Sequence, residues 1–166
     1  MNHDSHEWIE SRADRIENVP FAELRIGQHA RLTRHVTQDT IEDFARSTGD
    51  VNPAHLDEEY ARGTRFGGVI AHGMWSGALI SAVLGTLLPG PGTIYLEQSL
   101  RYRRPVRPGD TLTAMVTVAA LDAERQRVEL ECEVVNQHGD AVVRGTASVL
   151  APTEKMSRPR PVLEVV

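Results

Sequence analysis

The sequence predicts an α+β fold in which one antiparallel sheet wraps around a long helix. The first observation is a run from residue 73 to residue 87 that is apolar on every helical face, which is typical of a buried helix. The second is a series of later segments in which apolar and polar residues alternate, as they do in strands with one buried face. A helix followed by consecutive strands is the order of an α+β domain.

Two helices can be delimited. The first is predicted to begin after Thr37, a favourable N-cap residue, and to end at Gly49, which suits the left-handed conformation of a C-cap. Ile41, Phe44 and Ala45 would share its apolar face. The second helix runs from about Gly73 to Leu87 and is stopped by Pro-Gly-Pro-Gly at residues 89–92.

The strands are predicted from residues that alternate in polarity. The clearest case is residues 127–134, where Val128, Leu130, Cys132 and Val134 point to one side and three glutamates to the other. Comparable strand-like segments are 93–104, 112–118 and 141–150. Turn sequences separate them at 108–110, 121–124 and 136–139.

Composition limits the possible functions. With 166 residues the chain can form one domain with its own core, predicted at 21–152 between an arm (1–20) and a tail (153–166). The formal net charge of −5 gives no basic field for nucleic acid. The N-terminus lacks a signal-peptide pattern and no apolar run is long enough to span a membrane, so a cytoplasmic location without membrane contact is expected.

The densest group of functional side chains is Gly-Asp-Val-Asn-Pro-Ala-His-Leu-Asp at residues 49–57. It follows a helix and is predicted to lie on a loop that Pro53 stiffens. A loop of this kind can hold the Asp50 carboxylate and the His55 imidazole at a fixed separation, which suits general acid–base catalysis. The same residues are also common in ordinary turns, so spacing alone leaves both interpretations open.

Two further segments could contribute to a site. The free N–H groups around Gly73, where the second helix begins, could bind a developing negative charge; alternatively, His72 caps the helix and Gly73 eases a turn. Residues 101–107 contain four arginines, among them Arg103. These could bind phosphates, or they could form the solvated face of a strand.

Other chemistries are less well supported. The sequence around Ser76 has the wrong spacing for a nucleophile elbow, and no glycine-rich phosphate loop is present. His55, Asp57 and His72 do not match the spacing of a known metal-site class. Cys132, the single cysteine, alternates with glutamates and is predicted to lie in the core.

Three stretches of the sequence resemble one family. FARSTGDVNPAHLDEEYA resembles the hydratase motif of the MaoC-like, (R)-specific enoyl-CoA hydratases, which have the hot-dog fold. FGGVIAHGMWSGALISAVLG and PGPGTIYLEQSLRYRRPVRPGDTL are similar to the family's central helix and the strand after it. The resemblance extends from about Phe21 to Pro152.

The resemblance implies an activity and roles for residues. The expected reaction is hydration of a 2-enoyl-CoA to an (R)-3-hydroxyacyl-CoA and its reverse, without a metal or a redox cofactor. Asp50 and His55 match the family's acid/base pair, and Asn52 matches its supporting asparagine. Gly73 matches the glycine whose N–H polarises the thioester carbonyl. The family also implies a homodimer or a larger oligomer built from dimers.

Contacts with the substrate are expected from Asn52, His72, Gly77, Ser81 and Arg103. Residues on the central helix, including Leu84, could line an acyl tunnel or could simply pack against the sheet. Three alternatives stay open: a thioesterase of the same fold, a non-catalytic acyl-CoA-binding module, and a dehydratase of carrier-protein substrates. Acyl chain length and pathway, whether polyhydroxyalkanoate precursor supply or fatty-acid metabolism, are not specified by the sequence.

Overall fold

The computed structural model describes residues 8–163. It contains four helices in that range: α1 (Gln38–Thr48), α2 (Pro53–Leu56), α3 (Glu58–Arg62) and α4 (Gly73–Thr86). A turn of 3₁₀-helix, Phe21–Glu23, precedes them. Its strands are β1 (Arg15–Glu17), β2 (His29–His35), β3 (Ile94–Tyr102), β4 (Thr111–Asp122), β5 (Arg127–Val135), β6 (Ala141–Leu150) and β7 (Ser157–Pro159).

Five strands form the main sheet in the order β2-β4-β5-β6-β3, and every neighbouring pair is antiparallel. Strands β4, β5 and β6 follow one another as hairpins, whereas β2 and β3 come from earlier in the chain and form the two edges. Helix α4 packs on the concave side, against β2, β4 and β5. The predicted α+β fold, a sheet around one helix, is confirmed.

Local sequence signals account for the elements that were predicted. In α1 the Thr37 hydroxyl accepts a hydrogen bond from the Thr40 N–H at 3.1 Å, and Gly49 ends the helix with a positive φ of 79°. The alternating side chains of β5 are buried on the predicted face, Cys132 included. These elements form because their caps and periodicity agree with the fold.

The predicted burial of α4 is observed on one face only. Ile80 and Val83 are fully buried, but Met74 is 59% exposed, and Ala78 and Ser81 on the same face are also exposed. The reason is that a sheet of five strands covers only one side of a helix. The opposite apolar face of α4 lies open in a single chain.

The arm and the tail are more ordered than the sequence suggests. Strand β1 pairs with β7, so parts of the predicted arm and tail form a two-stranded sheet of their own. Strand β2, which was not predicted, joins β4, and Ile9 forms a bridge to Ala30 beside it. Val162 and Leu163 remain exposed, while Val165 and Val166 lie outside the described residues, as do residues 1–7. Within residues 8–163, no helix has the length and apolar character needed to cross a membrane.

Candidate active site

Asp50 lies directly after the C-terminal end of α1. Gly49 turns the chain there in the left-handed region, which glycine adopts without the steric cost of a side chain. The Asp50 side chain is exposed, and its Oδ1 accepts a hydrogen bond from the Asn52 N–H at 3.3 Å. The turn thus holds the carboxylate at the surface, where its second oxygen can reach a water molecule.

His55 lies on α2, a single helical turn, and not on the loop that the sequence predicts. Asn52 caps this turn, since its Oδ1 accepts a hydrogen bond from the Ala54 N–H at 3.0 Å, and Pro53 occupies the first helical position. His55 is only 8% exposed, and its Nδ1 lies 2.7 Å from the carbonyl oxygen of Ile70. Because a carbonyl only accepts, Nδ1 carries a proton toward Ile70, which leaves Nε2 for other partners.

His72 is buried behind these two groups. It is 3% exposed, and its Nε2 lies 2.9 Å from the main-chain oxygen of Asp50. Its ring contacts the rings of His55 and Phe44, with centroid distances of 3.9 Å and 4.9 Å. His72 occupies the N-cap position of α4, but its side chain makes no capping hydrogen bond. Its Nδ1 is buried without a hydrogen-bond partner in the described part of the chain.

Gly73 is the first residue of α4 and is exposed. The first N–H groups of a helix have no acceptor within the helix and lie at the positive end of its dipole. A Cβ atom on Gly73 would come 2.9 Å from Cε1 of Tyr102, so the tyrosine ring rests on the glycine. Burial raises the pKa of Tyr102, which keeps its hydroxyl protonated; this hydroxyl donates to Met74 Sδ at 3.4 Å.

A cavity of about 390 Å³ opens beside His55 and the start of α4. Its lining includes four of the predicted site residues: His55, His72, Gly73 and Arg103. Arg65 and Arg104 also line it. Arg104 lies 3.7 Å from the Asp140 carboxylate, whereas Arg65 and Arg103 have no carboxylate partner within residues 8–163. Unpaired cations at the cavity therefore favour an anionic ligand.

An apolar groove of about 500 Å³ lies along the exposed face of α4. Gly77 and Ser81, both predicted to contact substrate, line it together with Phe44, Met74 and Ala78. The other wall comes from β3: Tyr95, Leu96, Glu97, Gln98 and Leu100. Leu84 does not line this groove, because it faces the sheet and is 1% exposed. Asp50 and Asn52 line neither the groove nor the cavity.

One group of side chains in the described residues has spacing that could hold a metal ion. Ligand-type atoms of Asp50, His55 and His72 all lie within 4.8 Å of one another. One nitrogen of each histidine already faces a carbonyl oxygen, which leaves one nitrogen per ring and the carboxylate. The same geometry serves acid–base chemistry, in which a water molecule occupies the space between the carboxylate and an imidazole.

Three groups at the site were missed by sequence reasoning. Tyr102 was treated only as part of the arginine run, although an aromatic residue at a strand end beside the helix start is a usable signal. Phe44 was assigned to the apolar face of α1 alone. The Ile70 carbonyl, which fixes the tautomer of His55, belongs to the backbone and therefore has no sequence signal.

An antiparallel sheet packed on one helix, with a carboxylate and an imidazole near the helix N-terminus, is the hot-dog class that the sequence resemblance implied. A comparison with family models matches residues 21–140 to the MaoC-like domain. Because the match covers more than half of the chain, the protein belongs to the MaoC-like family.

Relatives of known name agree with this assignment. The chain is 47% identical over 134 residues to the (R)-specific enoyl-CoA hydratase of Rhodospirillum rubrum, covering 80% of this chain and 91% of that protein. It is 42% identical over 139 residues to the 3-hydroxybutyryl-CoA dehydratase of Methylorubrum extorquens, covering 84% and 88%. The solved structure of R-hydratase PhaJ1 from Pseudomonas aeruginosa has 46% sequence identity and a TM-score of 0.86, covering 92% and 97%.

Proposed function

We propose that the chain is a hydro-lyase that adds water across the double bond of a 2-enoyl-CoA to give an (R)-3-hydroxyacyl-CoA, and that it catalyses the reverse dehydration. The observation that carries the proposal is the proximity of the Asp50 carboxylate to the His55 imidazole, within 4.8 Å, beside the start of α4. One water molecule can contact both groups at that separation. The (R) configuration is supported by the names of the relatives.

Gly73 is proposed to bind the thioester carbonyl. Its N–H points out of the first turn of α4, and the helix dipole adds positive potential there. When water adds to the β-carbon, negative charge moves through the α-carbon to this oxygen. A preorganised N–H donor stabilises that charge more than it stabilises the neutral carbonyl, and this difference lowers the barrier.

Asp50 and His55 are proposed to manage the protons. Asp50 accepts a proton from the water as the water oxygen bonds to the β-carbon. His55, whose Nδ1 faces the Ile70 carbonyl, orients the water through Nε2, and the proton that Asp50 accepted passes through Nε2 to the α-carbon. The product gains one hydroxyl group and one hydrogen, and both catalytic groups return to their initial states. The balance of the reaction needs no metal and no redox cofactor.

The proposed substrate occupies both depressions. The acyl chain follows the apolar groove along Gly77 and Ser81, and the phosphates of CoA lie near Arg103 and Arg65. Direct substrate contacts by Asn52 and His72 have less support. Each of these side chains already holds the main chain of the site, Asn52 at Ala54 and His72 at Asp50.

We further propose a homodimer. Strand β3 is an edge of the main sheet and, among residues 8–163, pairs with β6 alone. Its exposed apolar side chains continue into the open face of α4: Ile94, Tyr95, Leu96, Tyr102 and Met74. An exposed edge with this many apolar groups favours pairing with a second copy. Light scattering should give twice the chain mass; a monomer with full activity would remove the proposal.

Absorbance assays with crotonyl-CoA test the activity directly. We expect loss of the enoyl-thioester absorbance without added metal and in the presence of a chelator, with chiral analysis giving the (R) product. Release of free CoA thiol from butyryl-CoA would instead identify a thioesterase. Binding of acyl-CoA without turnover would identify a non-catalytic module. Dependence on a divalent ion would contradict the mechanism.

The acyl carrier and the cellular location need separate measurements. Rates for crotonyl-CoA and for the same acyl group on a carrier protein, compared at equal concentration, distinguish the two substrate classes. The unpaired arginines near the cavity support CoA, because they match its phosphates. The cytoplasmic location stays a prediction from the sequence, and cell fractionation is the measurement that tests it.

A further inference from the structure

The side chain of His72 contacts both members of the proposed acid/base pair. Its Nε2–H donates to the main-chain oxygen of Asp50 at 2.9 Å. Its ring lies 3.9 Å from that of His55, at an interplanar angle of 34°. The next residue in the chain is Gly73. One side chain therefore fixes the place of Asp50, supports the ring of His55 and adjoins the proposed carbonyl-binding glycine.

The surroundings of His72 argue against direct contact with substrate. The residue is 3% exposed, and the rings of His55 and Phe44 lie against its own. Its Nε2 is used by Asp50, and its Nδ1 is buried without a hydrogen-bond partner in residues 8–163. These contacts favour a supporting role for the His72 side chain, and its contact with substrate stays a prediction.

We propose that His72 is a positioning residue that fixes the relative positions of the Asp50 carboxylate and the His55 imidazole for catalysis. The inference rests on the proposed hydratase function. Asp50 lies in a turn whose carboxylate is exposed, so its position depends on main-chain anchors. The hydrogen bond from His72 is such an anchor, and it comes from the element that also presents Gly73.

Two opposite tautomers follow from the hydrogen bonds. His55 carries its proton on Nδ1, because that atom faces the carbonyl of Ile70. His72 carries its proton on Nε2, because that atom faces the carbonyl of Asp50. Nitrogen-15 NMR of histidine-labelled protein distinguishes the two tautomers. We expect one Nδ1–H and one Nε2–H imidazole among the buried histidines, and two identical tautomers would overturn the arrangement.

Two substitutions of His72 distinguish the effect of its hydrogen bond to Asp50 from the effect of its ring contact with His55. His72→Gln places an amide N–H near the position of Nε2 and can keep the hydrogen bond to Asp50, but it removes the ring. His72→Phe keeps a ring against His55 but removes the donor. If misplacement of Asp50 is the dominant effect, His72→Phe should lower kcat about 10- to 100-fold, since a shift near 1 Å costs that much. His72→Gln should restore most of the lost rate.

The split between kcat and KM separates positioning from binding. A positioning role predicts a loss confined to kcat, with KM for crotonyl-CoA and the binding constant of butyryl-CoA nearly unchanged. A substrate-binding role predicts a raised KM with kcat preserved, which would overturn the proposal. Equal kcat in wild type and both variants would also overturn it.

A matched control distinguishes a loss of kcat that comes from a destabilised core from one that comes from misplaced catalytic groups. Asn18→Ala changes another buried polar residue, at the far end of α4, and should lower the unfolding temperature without lowering kcat. If Asn18→Ala lowers kcat as much as His72→Phe does, the effect is general destabilisation and the proposal fails. If the wild-type protein does not hydrate enoyl-CoA, the proposed function fails, whereas the NMR tautomers still test the arrangement.

Discussion

The two ends of α4 are each joined to distant parts of the chain by one buried polar side chain, and the two side chains differ in how completely they are hydrogen-bonded. At the C-terminal end, Asn18 is 2% exposed, and its Nδ2 donates to the carbonyls of Pro91 and Glu154. Its Oδ1 accepts from the Met156 N–H at 2.8 Å. At the N-terminal end, His72 uses one nitrogen and leaves Nδ1 without a partner.

The difference is consistent with a structural role for the Asn18 end and with the proposed catalytic role for the His72 end. Buried polar groups are normally satisfied, and an unsatisfied one stands out because burial without a partner costs free energy. At the Asn18 end, Leu87 and Leu88 are buried, and the arm and the tail pair with each other as β1 and β7. At the His72 end, Gly73 and Met74 are exposed. The completely bonded end is expected to stabilise the fold, and the open end is where the substrate is proposed to bind.

The largest effect is expected from Asp50→Asn at the open end. The substitution removes the proposed base but keeps an oxygen that can accept from the Asn52 N–H. General acid–base catalysis contributes about 10²–10⁴-fold, so kcat should fall by that factor, a barrier increase of about 3–5 kcal/mol. Steady-state rates measure the loss, and thermal unfolding should be unchanged because the side chain is exposed.

A double variant gives the control for this prediction. His55→Gln should cost a similar factor, and because both groups act on one water, the double variant should lose much less than the product of the single losses. Near-normal turnover in Asp50→Asn would mean that Asp50 is only a turn residue, and the catalytic assignment would then be wrong.

Gly73→Ala should give the next largest loss of activity. Its Cβ would come 2.9 Å from the Tyr102 ring, which must then move over the helix start. Displacement of groups at the reacting centre by about 1 Å can cost up to about 10²-fold in rate. Tyr102→Ala in the same chain removes the clash, so the double variant should recover part of kcat/KM. No recovery would show that the ring is not the obstacle.

Asn18→Ala tests the structural role proposed for the C-terminal end of α4. Removal of the side chain leaves two carbonyls and one N–H without their partner, and at a net value near 1 kcal/mol for each hydrogen bond the loss of stability is about 2–3 kcal/mol. For a chain of this size, the unfolding midpoint should fall by about 4–12 °C. Calorimetry measures the shift. A lowered kcat in the folded variant would contradict the division between the two ends.

The sequence predicted what local patterns specify. Helix α1 begins after Thr37 and ends at Gly49 as expected, because a cap hydrogen bond and a left-handed glycine are local properties. The strands β4 and β5 follow the alternation of their side chains. Asp50, His55 and Gly73 were selected from a motif, and the fold brings them to the same end of α4.

The features that depend on distant pairing were not predictable in the same way. The pairing of β1 with β7 joins residues separated by most of the chain, and neither short segment has a strong pattern. The burial of α4 was overestimated because its composition does not specify which face the sheet covers. The ring contacts of His72 with Phe44 and His55 likewise join separate elements, and nothing local in the sequence indicates them.

The smallest effect concerns Cys132, which lies in the core between the two ends and can report on both. Burial raises the pKa of the Cys132 thiol from its ordinary 9.0 to about 11, so the folded protein keeps this proton over a pH range in which the unfolded chain loses it. The unfolded state therefore binds fewer protons there, and folding stability should fall as the pH rises from about 9 to about 11.

Alkylation of Cys132 by iodoacetamide should be slow at pH 8 in the native protein, because both the thiolate population and its access are low. Asn18→Ala should accelerate it through more frequent opening, whereas Asp50→Asn should leave it unchanged. Rapid alkylation of the wild-type protein at pH 8, equal to that in denaturant, would contradict the buried assignment of Cys132.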